Sequence, residues 1–569
     1  MADSDIAHDR HGARSSDEAV HTGVPSPPPS VSLFLEAGLA AAVVALGYLL
    51  LRTSPVLAAG AFSDDGVYLA LGKAIASGEG YHSIYTAGAP VHLKYPPGLP
   101  AFYALLWWMG RGLDTVHALA LGASLLASAV AAGLLWWLAR ARFGLTRLST
   151  GLFVLSPFFL EGLVQYLNLA TSEAPFLLSW VIALVLFGRL HRAGTPRSRM
   201  GWALGLGLTV AAATLIRTQG VVLVPALLVA LLIVRAGSRP VALFSLSALL
   251  PLVCWSLWHR LSVAAGPVST QPDEEAYSDW LGAGGGSELL HTTLDVLRSQ
   301  VTRYVVALPS HFAEPPVLGG AILAALVLLA VVGGARRLRS DPDVVLSGAA
   351  LSVVIALWPF SQDRFVLILL PVFGLLAAAA VQRWAQPTVH RGRWGYGLAA
   401  VLILLVGVRQ MEIRSMRFGE RAEGELYFHP AQFLVDNTRY LVAASRWVAE
   451  RAGTEDVLLA PLPAGIWLYT GVPGVNATPA EPDVGPSDFD VPGAFLAHRI
   501  AEDGVTLLLL WNPNFEINRD AALVQRTCPD ALQFLEVTRE PAGVAIFRIN
   551  ATDPCLSTEF LDPLTRVPR

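Results

Sequence analysis

The stretch Phe62-Ser63-Asp64-Asp65-Gly66-Val67-Tyr68 sets two adjacent carboxylates ahead of a short amphipathic segment, about 66–76. It continues through the turn Gly78-Glu79-Gly80-Tyr81 and ends in Lys94-Tyr95-Pro96-Pro97-Gly98, where two prolines restrict the backbone just after a Lys-Tyr pair. A carboxylate in a partly desolvated cavity is a competent general base for a hydroxyl or amine, because burial raises its pKa towards the working pH. A lysine beside it can hold a phosphate as a point charge. The plainer reading is that Asp64 caps the helix that follows. Glu173, in Thr171-Ser172-Glu173-Ala174-Pro175, opens an apolar run. It is either a second acid of the site or a helix-start carboxylate favoured by the dipole. Arg217, in Leu215-Ile216-Arg217-Thr218-Gln219-Gly220, and Arg364, in Gln362-Asp363-Arg364-Phe365, lie at turns between apolar runs. Each needs an anionic partner: a loop acid (Asp363 in the case of Arg364), a lipid phosphate or a substrate phosphate. His291 and His311 have no HExxH or paired-His spacing, so a divalent metal is the one cofactor left open and it has no ligand set. Asp488-Phe489-Asp490 matches a three-residue DxD but sits in a Pro/Gly/Asp-rich loop. No P-loop or GxGxxG follows a strand, so cytosolic nucleotide use is not indicated.

These residues need a scaffold, and composition says which kind. Of 569 residues, 54% are hydrophobic and 15% charged, against about 25% charged in an average soluble domain. Mean hydropathy is +0.51. A disordered, coiled-coil or nucleic-acid-coating protein needs more charge than this, and a net charge of −4 favours no polyanion. Apolar runs lie near 31–51, 115–139, 148–164, 174–190, 200–216, 220–235, 240–262, 317–335, 343–360, 365–383 and 394–409. Set against the roughly 20 residues that span a bilayer, they predict about eleven transmembrane helices. The run 97–109 is shorter, begins with proline, and is expected along the interface. Residues 1–30 read as a disordered cytoplasmic tail.

Threaded this way, the alternate loops 140–149, 189–200, 235–240, 336–343 and 383–393 hold fifteen arginines and two acids, Asp341 and Asp343. The opposite loops, 52–114 and 263–316 above all, hold the acids. The positive-inside rule then puts the N-terminus in the cytoplasm and Asp64, Glu173, Arg217 and Arg364 on the outer side of a plasma membrane. Trp107, Trp108, Trp255 and Trp258 fall near span ends, as an interfacial belt does. After about residue 410 the charges return and strand-like runs (457–459, 505–510, 544–549) alternate with an amphipathic helix over 438–451. Three domains are therefore expected: 1–30, a transmembrane domain over 31–410, and an extracytoplasmic soluble α/β domain over 411–569. Cys528 and Cys555 both fall in the last, on the oxidising side, and either pair or remain thiols.

The order of these motifs resembles the membrane-embedded glycosyltransferases of the GT-C superfamily. The resemblance rests on Asp64-Asp65, Tyr68, Gly78-Glu79-Gly80-Tyr81 and Lys94-Tyr95-Pro96-Pro97-Gly98, with Ser172-Glu173-Ala174-Pro175, Arg217 and Arg364-Phe365 behind them. It is to the branch of protein O-mannosyltransferases, lipid A aminoarabinose transferases and bacterial lipopolysaccharide sugar transferases, and it covers about 31–410. It implies transfer of a sugar, with inversion, from a polyprenyl phosphate to an extracytoplasmic glycan, lipid or protein acceptor. Asp64, Asp65 and Glu173 would supply the base and its orienting acids. Lys94, Arg217 and Arg364 would hold the donor phosphate, and Tyr68, Tyr81 and Tyr95 would line the pocket. The sequence has Asp65 where the family commonly has Glu, and Glu173 where Asp is commoner, so the division of labour among the acids stays open. The competing readings are a non-catalytic scaffold or sensor with a GT-C-like core, and a secondary transporter. The latter would call for midplane charges and an internal repeat, and neither is evident.

Overall fold

The computed structural model describes residues 31–51, 57–110, 112–167, 169–265, 286–312, 316–358, 363–385, 430–477, 496, 499–500, 504–510, 516–538 and 542–555. The tail 1–30, the run 394–409 and Asp488 and Asp490 lie outside them. Six described helices are long and apolar enough to cross a membrane: Val31–Leu49, Leu113–Ala141, Glu173–Arg192, Pro196–Ile216, Ser238–Ala264 and Pro316–Arg337. Shorter apolar helices, including Pro342–Ala356 and Leu370–Gln382, lie within the apolar runs 343–360 and 365–383 but are below spanning length, so six of the expected eleven crossings have a helix of that length among the described residues. The expected run 148–164 is not one helix. It breaks into a short α-helix Arg147–Thr150, a π-helical turn Gly151–Leu155, a 3-10 turn Ser156–Phe159 carrying Pro157, and Glu161–Leu167. The widened turn exposes the Phe153 carbonyl, and Gly374 packs against it with no room for a side chain.

The first loop holds α2 (Asp64–Ser77) and α3 (Gly98–Met109), between α1 (Val31–Leu51) and α4 (Leu113–Ala141). α3 is only 12 residues long. It buries Leu99, Tyr103 and Leu106 against α2 and α4 and leaves Phe102, Leu105, Trp108 and Met109 exposed. Its outer stripe is apolar, as a helix lying along a bilayer surface requires.

At one end of the bundle the arginine loops are tied together. Arg142 donates from Nε to Asp341 (2.7 Å) and from Nη1 and Nη2 to Asp343 (2.7 and 2.5 Å). Both acids of the arginine-rich loops are thus paired, and all three side chains are buried. Glu36 near the start of α1 binds Arg140 and Arg147 at the same end.

Residues 430–555 build a five-stranded sheet, β1 (Leu458–Ala460), β2 (Gly474–Asn476), β3 (Leu507–Leu510), β4 (Leu532–Val537) and β5 (Ala545–Ile549), in the order β2-β1-β3-β5-β4. β1 is parallel to β2 and β3, whereas β5 is antiparallel to β3 and β4. Side chains alternate faces along a strand. Leu507 and Leu509 therefore pack on the helix Pro430–Arg451 through Leu441, Ala444 and Val448, and Leu508 and Leu510 on Val524 and Leu532. Cys528 and Cys555 are bonded, with Cα atoms 5.7 Å apart.

Removing one member of a buried ion pair leaves uncompensated charge. Arg142→Leu is expected to cost about 3–5 kcal/mol, read as a lowered Tm in detergent, whereas Arg147→Leu at the exposed rim leaves Tm nearly unchanged.

Candidate active site

Asp64 and Asp65 are adjacent in sequence and face opposite ways. Ser63 has φ 70° and ψ −68°, and Asp64 N donates to Phe62 O (3.0 Å). This is a γ-turn of the rare, strained hand. The turn delivers the chain into α2, which begins at Asp64 with no side-chain cap. Asp64 therefore does not cap the helix. The carboxylate of Asp65 folds back on the loop, with Oδ2 accepting from Gly60 N (2.9 Å) and Oδ1 from Phe62 N (3.0 Å). Burial pushes its pKa up to about 6, against the pull of the Gly60, Phe62 and Gly66 amides.

Asp64 points the other way. Its Oδ1 accepts from the Tyr95 hydroxyl (2.7 Å) and its Oδ2 from Arg364 Nη2 (2.6 Å). Tyr95 is fixed from behind. Its amide donates to His92 Nε2 (3.1 Å), its carbonyl accepts from the Tyr81 hydroxyl (2.9 Å), and its ring packs on Tyr68 (4.8 Å between centroids). His92 is buried, with Nδ1 3.0 Å from Ser83 Oγ. Burial, then the Lys94 charge, pushes its pKa down to about 3. It is a neutral imidazole, and since Nε2 accepts, Nδ1 is assigned the proton. Lys94 places Nζ 5.7 Å from the Tyr95 ring centre. Gly98, after the two prolines, abuts the end of the helix Pro196–Ile216: a Cβ there would lie 2.6 Å from Leu215 O.

Two residues on, Arg217 leaves that helix. It donates from Nε to Gln219 (2.8 Å) and from Nη1 to Ser172 Oγ (2.9 Å) and Glu173 Oε1 (2.8 Å). Arg364 Nη1 lies 3.3 Å from the same Oε1. Glu173 has no exposed surface. Asp64, Arg364, Glu173 and Arg217 thus form one chain of alternating charge, with Phe365 against both guanidiniums (4.5 and 5.3 Å) and Phe62 over Arg364 (4.8 Å). Asp363 does not pair with its neighbour Arg364; its Oδ2 is 3.0 Å from His311 Nε2. Among the described residues, Glu173 Oε2 and Arg364 Nε are buried without a hydrogen-bond partner.

The structure therefore joins Asp64, Glu173, Arg217, Arg364 and Tyr95 directly, sets Tyr68 and Lys94 against Tyr95, puts Tyr81 behind it, and turns Asp65 away. The sequence motifs contain Phe62, Ser172, Gln219 and Phe365 but give them no role, and show His311 only as an unaccompanied histidine; His92, two residues before Lys94, is not singled out. Among the described residues no group of three or more His, Cys, Asp or Glu is placed to hold a metal.

Residues 96–259, which include Glu173 and Arg217, match the family described as dolichyl-phosphate-mannose-protein mannosyltransferase. A comparison with curated protein sequences finds no match. The crystal structure of ArnT from Cupriavidus metallidurans in the apo state is similar with a TM-score of 0.52 at 14% identity, over 92% of this chain and 98% of that one. That of the Archaeoglobus fulgidus oligosaccharyltransferase, in complex with Zn and sulfate, gives 0.49 at 13% identity, over 84% and 67%. The fold is similar to that of the ArnT structure.

Protonating Asp65 turns one of its two acceptors into a donor facing an amide. Turnover is therefore expected to fall as pH drops through about 6, not near the ordinary aspartate value of about 4. The check is a pH–rate profile, in which Asp65→Asn removes that limb from whatever activity remains. Its linkage to stability runs the opposite way: with a raised folded pKa, the Asp65 contribution is whole below about 4 and is lost as pH rises through about 6.

Proposed function

We propose that the protein is a membrane glycosyltransferase that moves a sugar from a polyprenyl phosphate to an acceptor hydroxyl, with inversion at the anomeric carbon. The observation that carries this reading is the Asp64 carboxylate held between the Tyr95 hydroxyl and Arg364, at the head of a buried chain of charges. The acceptor oxygen forms its bond to the anomeric carbon as the bond to the phosphate oxygen breaks. The hydroxyl proton goes to Asp64, and the leaving phosphate keeps the electron pair. Arg364 and Lys94 offset the charge that develops on it.

Asp64 is ion-paired with Arg364 at rest. A donor phosphate seated on Arg364, whose Nε has no hydrogen-bond partner among the described residues, competes with Asp64 for that cation and frees the carboxylate to face the acceptor hydroxyl. Arg217 is held by Glu173, Ser172 and Gln219, so its part is to anchor Glu173, which in turn orients Arg364. Asp65 orients Asp64 through the loop. The fold and the match to the mannosyltransferase family support this chemistry.

In this reading the transmembrane domain is 31–410 and the soluble domain 411–569. The arginine-rich end faces the cytoplasm, and the site and the sheet lie outside a plasma membrane. The arginine bias and the Cys528–Cys555 disulfide support that sidedness. The lipid-linked sugar donor and membrane lipids are the partners, and the acceptor is a glycan, a lipid or a protein.

The test is transfer in membranes supplied with a labelled polyprenyl-phosphate sugar. Asp64→Asn is expected to lower kcat by about 10²–10⁴. Arg364→Gln is expected to raise KM for the donor as well as lower kcat. Unchanged transfer in Asp64→Asn overturns the mechanism, and no transfer by the wild type with any such donor favours the scaffold reading.

A further inference from the structure

The backbone that aims Asp64 is gripped by residues nearly 400 positions away. Asn437 Nδ2 donates to Ala61 O (2.8 Å), and this bond is buried. Ala59 N donates to the Tyr469 hydroxyl (2.9 Å) and Ala58 N to Thr438 Oγ1 (3.3 Å). Farther along the loop, Gly474 N donates to Tyr85 O (2.8 Å). Between these bonds three glycines meet. A Cβ on Gly60 would lie 2.5 Å from Gly465 Cα, and one on Gly66 3.0 Å from Gly60 Cα. Gly60 also has φ +90°, which a side chain disfavours. Two turns along the same face of α2, Lys73 Nζ sits between the rings of Trp107 (5.5 Å) and Trp467 (4.6 Å).

The gripped residues 58–61 abut the γ-turn at Ser63 and include one of the two amides that hold Asp65. A strained turn persists only where its surroundings over-determine it. Here the surroundings are Asp65 on one side and the helices Pro430–Arg451 and Pro463–Thr470 on the other.

We infer that the sheet domain is a positioning part of the active site, with Asn437 and Tyr469 as positioning residues that hold the Ser63 turn and so aim Asp64. This rests on the reading of Asp64 as the base. It differs from a general stabilising role in what it predicts: loosening the grip affects the chemical step and the local backbone, not donor binding or global stability.

The experiment uses the full chain in detergent or nanodiscs and compares Asn437→Ala, Asn437→Asp and Tyr469→Phe with wild type. Asn437→Asp keeps the shape and removes the donor; Tyr469→Phe removes one hydroxyl and little else. Each is expected to raise amide hydrogen exchange across 58–66 by tenfold or more, with Tm nearly unchanged. Each is expected to lower kcat by about tenfold, with KM for the polyprenyl-phosphate sugar unchanged. Exchange over 58–66 equal to wild type in all three, or raised exchange with unaltered kcat, overturns the inference. So does an Asn437→Asp variant equal to wild type in both readouts. Asp64→Asn run in parallel separates the two ideas: if that variant retains transfer, the base assignment fails, while hydrogen exchange still reports on the grip.

Discussion

Burying charge is costly unless the charge is paired, and the pairing of Asp64, Arg364, Glu173 and Arg217 organises this end of the molecule. The four side chains come from α2, from the helix Asp363–Leu367, from the start of Glu173–Arg192 and from the end of Pro196–Ile216. Each ion can be accommodated only if the other three are in place. Separate crossings are therefore fixed relative to one another by charge, where apolar packing between helices in lipid is permissive. The chain ends on the one carboxylate with partial access to solvent, at Asp64. A constraint on folding and a poised acid thus coincide in one residue.

The opposite end uses the same principle for a different purpose. Arg142 collects Asp341 and Asp343, and Glu36 collects Arg140 and Arg147. No described partner there leaves a carboxylate poised for chemistry. The acids tie the arginine-rich loops to one another and to α1. Two compact clusters of paired charge thus lie one at each end, separated by a core of Phe, Leu, Trp and Ala.

Much of the site was legible in the sequence, because a charge beside an apolar run is rare enough to stand out. Asp64, Glu173, Arg217 and Arg364 could be named on that ground. Who pairs with whom could not. Asp64 and Arg364 lie 300 residues apart, and Asp363, next to Arg364, is the more obvious partner on the page. The Ser63 turn was hidden because positive φ is expected of glycine, not serine. Asn437 and Tyr469 carry no charge, so a search led by charge passes over them. In the sheet, β1, β3 and β5 were visible as apolar runs. β2 has three residues, too few for a pattern, and most side chains of β4 point away from the core.

The grip on the first loop also has a consequence in time. Its partners lie 376 to 410 residues downstream of the residues they hold. At about 5–20 residues per second of synthesis, roughly 20–80 s separate the emergence of Asp64 from that of Tyr469. Throughout that interval the growing chain holds the acid without the parts that aim it. On the inferred grip, Asp64 is aimed only once Tyr469 has emerged, and a chain stalled before Asn437 carries that acid on an unheld turn.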